Sequence, residues 1–188
     1  MASDAPGVRL AVISQRPGEV AEALQHERIE LAVGRFTKPA QALRLKPLYD
    51  ESMVAVVAAG HPLAGRRISM ARFVAQPHLL VAPGGQGDFQ GLFDQQLDAL
   101  GLIRRVVLSM GHFLAAPWIA AQSNAVVLIP RRLLPVVAGW QLRALTVPLQ
   151  MPSFQVSMLW RERSQREPAH RGLRQVVVEA LQPTPEPV

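Results

Sequence analysis

The sequence contains no cysteine among its 188 residues. This absence excludes disulfide bridges, thiolate nucleophiles and cysteine-ligated metal sites, although it does not identify a cellular compartment. Aromatic residues are also few, at 5% of the chain with a single tyrosine, and charged residues make up only 18%. Hydrophobic residues nevertheless account for 49%. This composition is typical of a globular protein and excludes an intrinsically disordered one.

No apolar run in the sequence reaches the roughly 20 residues that a membrane-spanning helix needs. The opening MASDAPGVRL also has neither the basic start nor the apolar core of an export signal. We therefore expect a soluble, cytoplasmic protein without a membrane partner. Residues 1–7 and 183–188 are small, polar or rich in proline, so we expect both ends to be disordered.

The net charge of +6 comes mainly from arginine, in short groups along the chain. These groups are Arg66-Arg67, Arg104-Arg105, Arg131-Arg132 and Arg161 to Arg166. A nucleic-acid surface concentrates such charges on one face, often with aromatic side chains for stacking. Because the groups are scattered and aromatic residues are few, the pattern favours solvated surfaces over direct binding of DNA or RNA.

The most informative stretch runs from Val106 to Leu134. Its pattern predicts a strand (Val106 to Ser109), a corner (Gly111, His112), a helix from Phe113 to about Gln122, and a strand (Val126 to Pro130) that opens onto another helix. This order is typical of half of a βαβ unit. In open α/β sheets, ligands bind beyond the carboxyl ends of such strands.

The Gly111-His112 corner is therefore a candidate binding site. A helix beginning at Phe113 would present unpaired N–H groups and the positive end of its dipole to an anion or a polarised carbonyl. His112 would add a directed hydrogen bond, or a charge when protonated. The alternative interpretation is that His112 only caps the corner.

Further elements are predicted on both sides of this stretch. In chain order they are strand Val8 to Ser14, helix Gly18 to Glu27, strand Ile29 to Val33, extended segments Leu43 to Tyr49 and Ser52 to Ala59, helix Met70 to Ala75 capped by Ser69, strand His78 to Val81, helix Asp88 to Leu100, strands Leu142 to Val147 and Phe154 to Trp160, and helix Pro168 to Leu181. The first strand, helix and strand predict a parallel pair. In the last helix, Leu173, Val177 and Leu181 form the expected buried face.

Two loops that follow predicted strands are candidate ligand walls. The first, Gly34 to Ala40, carries Arg35, Phe36 and Thr37. Its alternative interpretation is an exposed turn with Phe36 packed inward. The second, Ala82 to Gly87, is rich in glycine, which would let a ligand approach main-chain N–H groups, although the pattern is too loose for a phosphate loop.

Four passages, taken in order, carry a resemblance to a known family. They are ELAVG before a loop that contains proline, PLYDESMVAVVAAGHPLAG, QPHLLVAPGG, and LWRERSQREPAHRGLRQVV. Together they span about Val8 to Leu181, and their order and spacing resemble the effector-binding domain of LysR-type transcriptional regulators. The family's fold is α/β and type 2 periplasmic-binding-protein-like, with two lobes joined by two crossing strands and a small-molecule effector between the lobes.

Mapped onto this chain, the resemblance implies lobe I at residues 8–53 with 161–181, lobe II at residues 54–158, and crossing strands at Val54 to Val57 and Val156 to Trp160. The implied effector-binding residues are Arg35, Phe36, Pro83, Gly84, Gly85, Met110, Gly111, His112, Phe113 and Pro130. The SxxHFLAAP passage resembles the subgroup that senses aromatic acids, so the implied effector is small, anionic and possibly aromatic. No metal or cofactor is implied.

The resemblance also implies partners. Members of the family are homo-oligomers, dimers or tetramers at full length, and bind DNA through an amino-terminal winged helix-turn-helix. We expect this chain to lack that segment and the domain's first strand and helix. One alternative is a solute-binding protein for transport, which needs an export signal. The other is an enzyme that uses Asp50 with Glu51, or His61 with His78, but the sequence gives no sign that either pair converges on one reacting atom.

Overall fold

The computed structural model describes residues 7–36, 38–39, 41–83 and 90–181. The helices in this part are α1 (Val20–Gln25), α2 (Met70–Val74), α3 (Leu92–Asp98), α4 (Ala115–Ala121) and α5 (Pro168–Ala180). The strands are β1 (Leu31–Gly34), β2 (Leu43–Ala58), β3 (Pro77–Val81), β4 (Arg105–Met110), β5 (Val126–Pro130), β6 (Leu142–Leu145) and β7 (Ser153–Arg161). Apart from Gly7, the ends predicted to be disordered lie outside the described residues.

The chain divides into two compact units, and each is described by itself. Unit 1 comprises the described residues of Met1–Asp50 and Gln155–Val188, and unit 2 comprises those of Glu51–Phe154. The polypeptide passes from one unit to the other through β2 and again through β7.

Unit 2 contains a sheet of order β2-β5-β3-β4, with β6 paired to β2. Strand β3 is parallel to both β4 and β5, whereas β2 is antiparallel to β5. The predicted unit of strand, helix and strand is therefore present as β4, α4 and β5. Strand β3 lies between its two strands.

Both faces of this sheet are covered, and the apolar sequence of β2 explains why. Every residue from Met53 to Val57 is buried. Met53, Ala55 and Val57 pack with Phe73 of α2 and with Phe93 and Leu97 of α3, while Val54 and Val56 pack with Ala116 and Ala120 of α4. Successive side chains of a strand point to opposite faces, so a continuous apolar run supplies two cores. Ser69 caps α2 as predicted, its Oγ accepting a hydrogen bond from the Arg72 N–H at 3.3 Å.

In unit 1, β7 lies between β1 and β2 in the sheet order. Strand β1 is antiparallel to β7, with Leu31 opposite Trp160 and Gly34 opposite Ser157. A small core forms between Val20, Leu24, Leu43 and Leu159.

The prediction that Val8 to Ser14 forms a strand parallel to the next one is wrong. Residues 8–14 have no strand assignment, and the side chains of Val8, Leu10, Val12 and Ile13 are 49–88% exposed. The apolar, β-branched composition favours extended backbone, but a strand also needs a neighbour to bond with. In the described residues, β1 takes its ladder from β7 instead.

The closing helix buries two polar side chains more deeply than its apolar face. Leu173, Val177 and Leu181 are half-buried, whereas His170 and Arg174 are buried. Arg174 donates to the carbonyl oxygens of Ser164 and Gln165, at 3.2 and 2.9 Å, and its guanidinium lies 4.8 Å from the centre of the Trp160 ring. Hydrogen bonds and stacking allow this arginine to be buried where an apolar stripe alone predicts solvent exposure.

Helix α3 is shorter than predicted. It begins at Leu92 rather than Asp88 and ends at Asp98. Asp88 and Phe89 lie outside the described residues. Phe93 and Leu97 belong to the core, whereas Leu100 lies beyond the end of the helix and is 54% exposed.

Candidate functional site at the carboxyl edge of unit 2

The carboxyl ends of three parallel strands meet at one edge of the unit 2 sheet. In the register of the ladders Val81 lies opposite Met110, and the N–H of Ala82 donates to the Met110 carbonyl oxygen at 2.8 Å. Strand β2 runs the other way, so Met53, near the start of its unit 2 portion, lies opposite Pro130 at the end of β5. We call this place the carboxyl edge. The residues that form it are Glu51, Ser52, Pro83, Met110, Gly111, His112, Pro130 and Arg131.

Most of the predicted site residues of unit 2 lie at this edge. Gly111, His112 and Pro83 are exposed. Met110, Phe113 and Pro130 are half-buried, with Met110 packed on the α4 side of the sheet and Phe113 on the other side. Gly84 and Gly85 lie outside the described residues. The edge therefore offers a histidine, a glycine and two prolines to solvent or partly to solvent.

The predicted helix start at Phe113 is wrong. Helix α4 begins at Ala115, with Leu114 at its N-cap, and spans only seven residues. Its third residue is Pro117, which has no N–H. A short helix that begins late and lacks one of its first amides is a poor anion site, so recognition at this edge falls to side chains.

One arrangement at this edge was missed by sequence reasoning. The carboxylate of Glu51 is only 5% exposed, and its Oε1 accepts the N–H of Ser52 at 2.9 Å and the N–H of Arg131 at 3.1 Å. The Arg131 Nε in turn donates to Ser52 Oγ at 3.3 Å. The sequence did show Glu51 as a candidate for acid–base chemistry. It did not show that Arg131, 80 positions later, would be its partner.

In unit 1, the two predicted site residues after β1 have different environments. Arg35 is exposed. Phe36 is half-buried and packs against the core formed by Val20, Leu24, Leu43 and Leu159, as in the alternative interpretation of this loop. Thr37 lies outside the described residues. A ligand contact by Arg35 or Phe36 stays a prediction.

The histidine pair considered for catalysis is occupied by structural hydrogen bonds. His61 accepts the N–H of Leu63 at Nδ1, at 3.1 Å, and its Nε2 lies 3.2 Å from the Asn124 carbonyl oxygen. His78 is fully buried, and its Nε2 lies 3.0 Å from the Phe73 carbonyl oxygen. Burial lowers the pKa of His78 to about 4. The two rings bond to separate backbone groups and not to each other, and His78 Nδ1 is buried without a hydrogen-bond partner.

Among residues 7–36, 38–39, 41–83 and 90–181, no group of three or more His, Asp or Glu side chains is arranged to hold a metal ion. The same part of the chain has no helix that is long and apolar enough to span a bilayer.

The carboxyl edge combines exposed donors with partly apolar walls. Such an arrangement is suited to holding a small polar molecule.

Comparison with known proteins identifies the family. The family model described as "LysR substrate binding domain" matches residues 1–182. The chain belongs to this family. The predicted resemblance and the predicted α/β fold, type 2 periplasmic-binding-protein-like, are both confirmed.

The relatives of this LysR substrate-binding domain are transcriptional regulators. The HTH-type transcriptional activator NahR of Pseudomonas putida is 25% identical over 178 residues, which cover 94% of this chain and 59% of NahR. The regulatory domain of MexT, a transcriptional activator in Pseudomonas aeruginosa, superposes with a TM-score of 0.77 at 24% identity, covering 95% of this chain and 86% of that one. The chain spans about half the length of its first curated relatives, from 46% to 59%.

A third similar protein was solved with a ligand. The CcmR regulatory domain of Synechocystis PCC6803, in complex with 2-PG, superposes with a TM-score of 0.76 at 14% identity, covering 96% of this chain and 87% of that one. At such low identity the match establishes a shared fold and no shared ligand.

Proposed function

We propose that this chain is the effector-sensing domain of a LysR-type transcriptional regulator, and that it binds a small anionic metabolite without converting it. The observation that carries this proposal is the family match over residues 1–182. Curated relatives that are HTH-type transcriptional regulators support it. In the full-length protein, a winged helix-turn-helix outside residues 1–182 would contact DNA, and the protein would act as a homo-oligomer.

The ligand site in unit 2 is the carboxyl edge. His112 is exposed just beyond β4, where it can donate a hydrogen bond to an anion or attract it when protonated. Met110 and Phe113, which flank this corner in the chain, and Pro130 at the end of β5 are partly buried apolar residues of the same end of the sheet. Because α4 begins late and has Pro117 in its first turn, ligand recognition rests on these side chains rather than on helix amides.

Sensing requires more than binding. A ligand shifts a conformational equilibrium only by the difference between its affinities for the two conformations, and a tenfold difference corresponds to about 1.4 kcal/mol. An effector must therefore contact a part of the domain whose arrangement differs between the two conformations.

The test is calorimetric titration of the chain with a panel of aromatic and aliphatic carboxylates, repeated on His112→Ala. We expect at least one compound to bind, and His112→Ala to weaken that binding about 5- to 10-fold, since a charge-assisted hydrogen bond is lost. His26→Ala is the matched control, because His26 is an exposed histidine of unit 1, after α1, and we expect no change.

Two results would contradict the proposal. If no carboxylate binds, the anionic effector is wrong. If a bound compound is recovered chemically altered after incubation, the chain is an enzyme rather than a sensor. Equal binding by the native chain and His112→Ala would remove His112 from the site and leave the rest intact.

A further inference from the structure

We infer that Arg131, with Ser52 as a second donor, is the group that makes the carboxyl edge select a carboxylate over its uncharged analogues. This inference rests on the proposed function and names the chemical class of its ligand.

The backbone of Arg131 is fixed by a buried carboxylate. Arg131 follows Pro130 directly at the end of β5 and begins a short 3-10 turn. Its N–H donates to Glu51 Oε1 at 3.1 Å, and the same oxygen accepts the N–H of Ser52 at 2.9 Å. Glu51 therefore links the end of β5 to the start of the unit 2 portion of β2. It acts as a positioning residue.

The side chain of Arg131 is held over this junction. Its Nε donates to Ser52 Oγ at 3.3 Å, which keeps the exposed guanidinium at the carboxyl edge. An arginine guanidinium stays protonated at any physiological pH and presents donors in a planar fork that matches the two oxygens of a carboxylate.

No ion pair neutralises Arg131 among the residues that the structure describes. Arg16, Arg28, Arg44, Arg104, Arg161 and Arg163 each lie within 4 Å of a carboxylate oxygen. The carboxylate nearest to Arg131 in the hydrogen-bond network is Glu51, and it receives the backbone N–H rather than the guanidinium. Among the described residues, the guanidinium is thus bonded to a neutral hydroxyl and to no carboxylate, and its Nη donors can face a ligand.

Ser52 supplies a second donor of the same kind. A hydroxyl has one O–H to give, and Ser52 Oγ accepts from Arg131 Nε. Its own proton is then directed elsewhere, toward another acceptor. Two neighbouring groups that both donate favour a ligand that only accepts, and an ionised carboxylate is such a ligand whereas an amide is not.

The ordinary alternative is that Arg131 is a solvated surface side chain. The two interpretations can be distinguished with pairs of compounds that differ in charge but have nearly the same shape. We would measure the affinity of benzoate and benzamide, and of cyclohexanecarboxylate and its amide, for the native chain, Arg131→Gln, Arg131→Lys and Arg143→Gln. Arg143 is the matched control, because it is exposed on β6 opposite Val57, toward the other end of β2.

We expect the native chain to prefer each acid over its amide. Arg131→Gln should lose about tenfold or more of the acid affinity and keep the amide affinity, so that the preference for acids falls by the same factor. Arg131→Lys keeps the charge but not the fork, and should lose part of the acid affinity. Arg143→Gln removes the same charge and should behave as the native chain does.

Three outcomes would overturn the inference, and they can be told apart. If Arg131→Gln binds the acids as the native chain does, the inference is wrong and the proposed function stands. If it loses acid and amide equally, Arg131 shapes the site and does not select charge. If the native chain binds neither acids nor amides, the proposed function fails and the inference with it. Thermal midpoints equal to that of the native chain would show that the variants are folded. If Arg131→Gln does not fold, the acid and amide affinities of Arg131→Lys decide the case.

Discussion

The two edges of the unit 2 sheet use charged residues in opposite ways. At the amino edge, where β3, β4 and β5 begin, Arg104 is 6% exposed and bonds to Asp94 through Nε and Nη2, at 2.6 and 2.7 Å. At the carboxyl edge, Arg131 is exposed and bonds through its side chain only to a serine hydroxyl in the described network. The two arginines differ in their partners, because a buried carboxylate receives Arg104, whereas the Arg131 side chain bonds to a neutral hydroxyl.

Aromatic rings explain how the amino edge tolerates its charges. Phe73 packs edge-on against both His78 and Phe93, with ring centroids 4.9 and 5.8 Å apart, and the Arg104 guanidinium lies 5.6 Å from the centre of the Phe93 ring. The Asp94 carboxylate also accepts the N–H of Gly91 at 2.6 Å. The expectation that Arg104 lies on a solvated surface is wrong. A buried carboxylate and an aromatic face together replace water around its guanidinium.

The largest effect should come from breaking the Asp94–Arg104 pair. Asp94→Ala leaves a buried guanidinium without its carboxylate, and we expect the free energy of unfolding to fall by about 3–5 kcal/mol. Denaturant unfolding measures this. Asp98→Ala, at the exposed end of the same helix, is the control and should change little. The double variant Asp94→Leu with Arg104→Met should recover much of the loss, since no charge then remains unpaired. A small effect of Asp94→Ala would remove the contrast between the edges.

The second prediction concerns pH at the amino edge. Burial lowers the pKa of His78 from 6.5 to about 4. The unfolded chain therefore takes up a proton as pH falls below 6.5, while the folded chain does not until about pH 4. Stability contributed by His78 is present at neutral pH and is lost as pH falls through this window, by up to about 3 kcal/mol.

Unfolding free energies of the native chain and His78→Gln between pH 7 and 4 test this sign. The native chain should lose stability more steeply than the variant. Burial alone would raise the pKa of Asp94, but hydrogen bonds and charge from Arg104 lower it below its usual value, so this carboxylate stays ionised across the window. If the unfolding free energies of the two proteins fell in parallel with pH, His78 would not be the titrating group.

The third prediction concerns Glu51 at the carboxyl edge. Glu51→Ala removes the acceptor of two backbone N–H groups, and we expect a loss of about 1–3 kcal/mol in unfolding free energy. Glu51→Gln keeps an amide oxygen in the same place and should retain most of the stability. Only Glu51→Ala should also weaken the preference for carboxylates over amides, because it releases Ser52 and Arg131. If Glu51→Gln lost as much stability and as much preference for carboxylates as Glu51→Ala, the charge of Glu51 would matter rather than its position as an acceptor.

Elements determined by local pattern could be predicted closely. Strand β5 has its predicted bounds, Val126 and Pro130, because a short run of apolar, mostly β-branched residues ends there at a proline followed by Arg131. Helix α5 starts at Pro168 as expected, since proline suits the first turn. The near-continuous apolar run from Ser52 to Ala59 likewise predicted that this part of β2 is covered on both faces.

Features that depend on distant partners could not be predicted. Val8 to Ser14 has the composition of a strand, but no local pattern reports whether a neighbour is present. Glu51 and Arg131 meet only because β2 and β5 pair in one register. The position of the edge could be inferred from strand direction, which indicated His112, whereas Pro130 was implied only by the family resemblance. The arginine that we assign to charge selection belongs to one of several arginine pairs that look alike in the sequence.

The smallest effects should come from arginines whose side chains already lie in solvent. Arg105→Gln and Arg131→Gln should each change unfolding free energy by no more than about 0.5 kcal/mol, because neither side chain is buried. Arg104 is next to Arg105 in the chain, yet Arg104→Gln should lower the unfolding free energy several times more than Arg105→Gln. The reason is that Asp94 would lose both of its hydrogen bonds from the guanidinium. Denaturant unfolding of the three variants, analysed with a common m-value, measures these differences. If Arg131→Gln lost as much stability as Arg104→Gln, the carboxyl edge would hold its arginine for structure, and the two edges would not differ in kind.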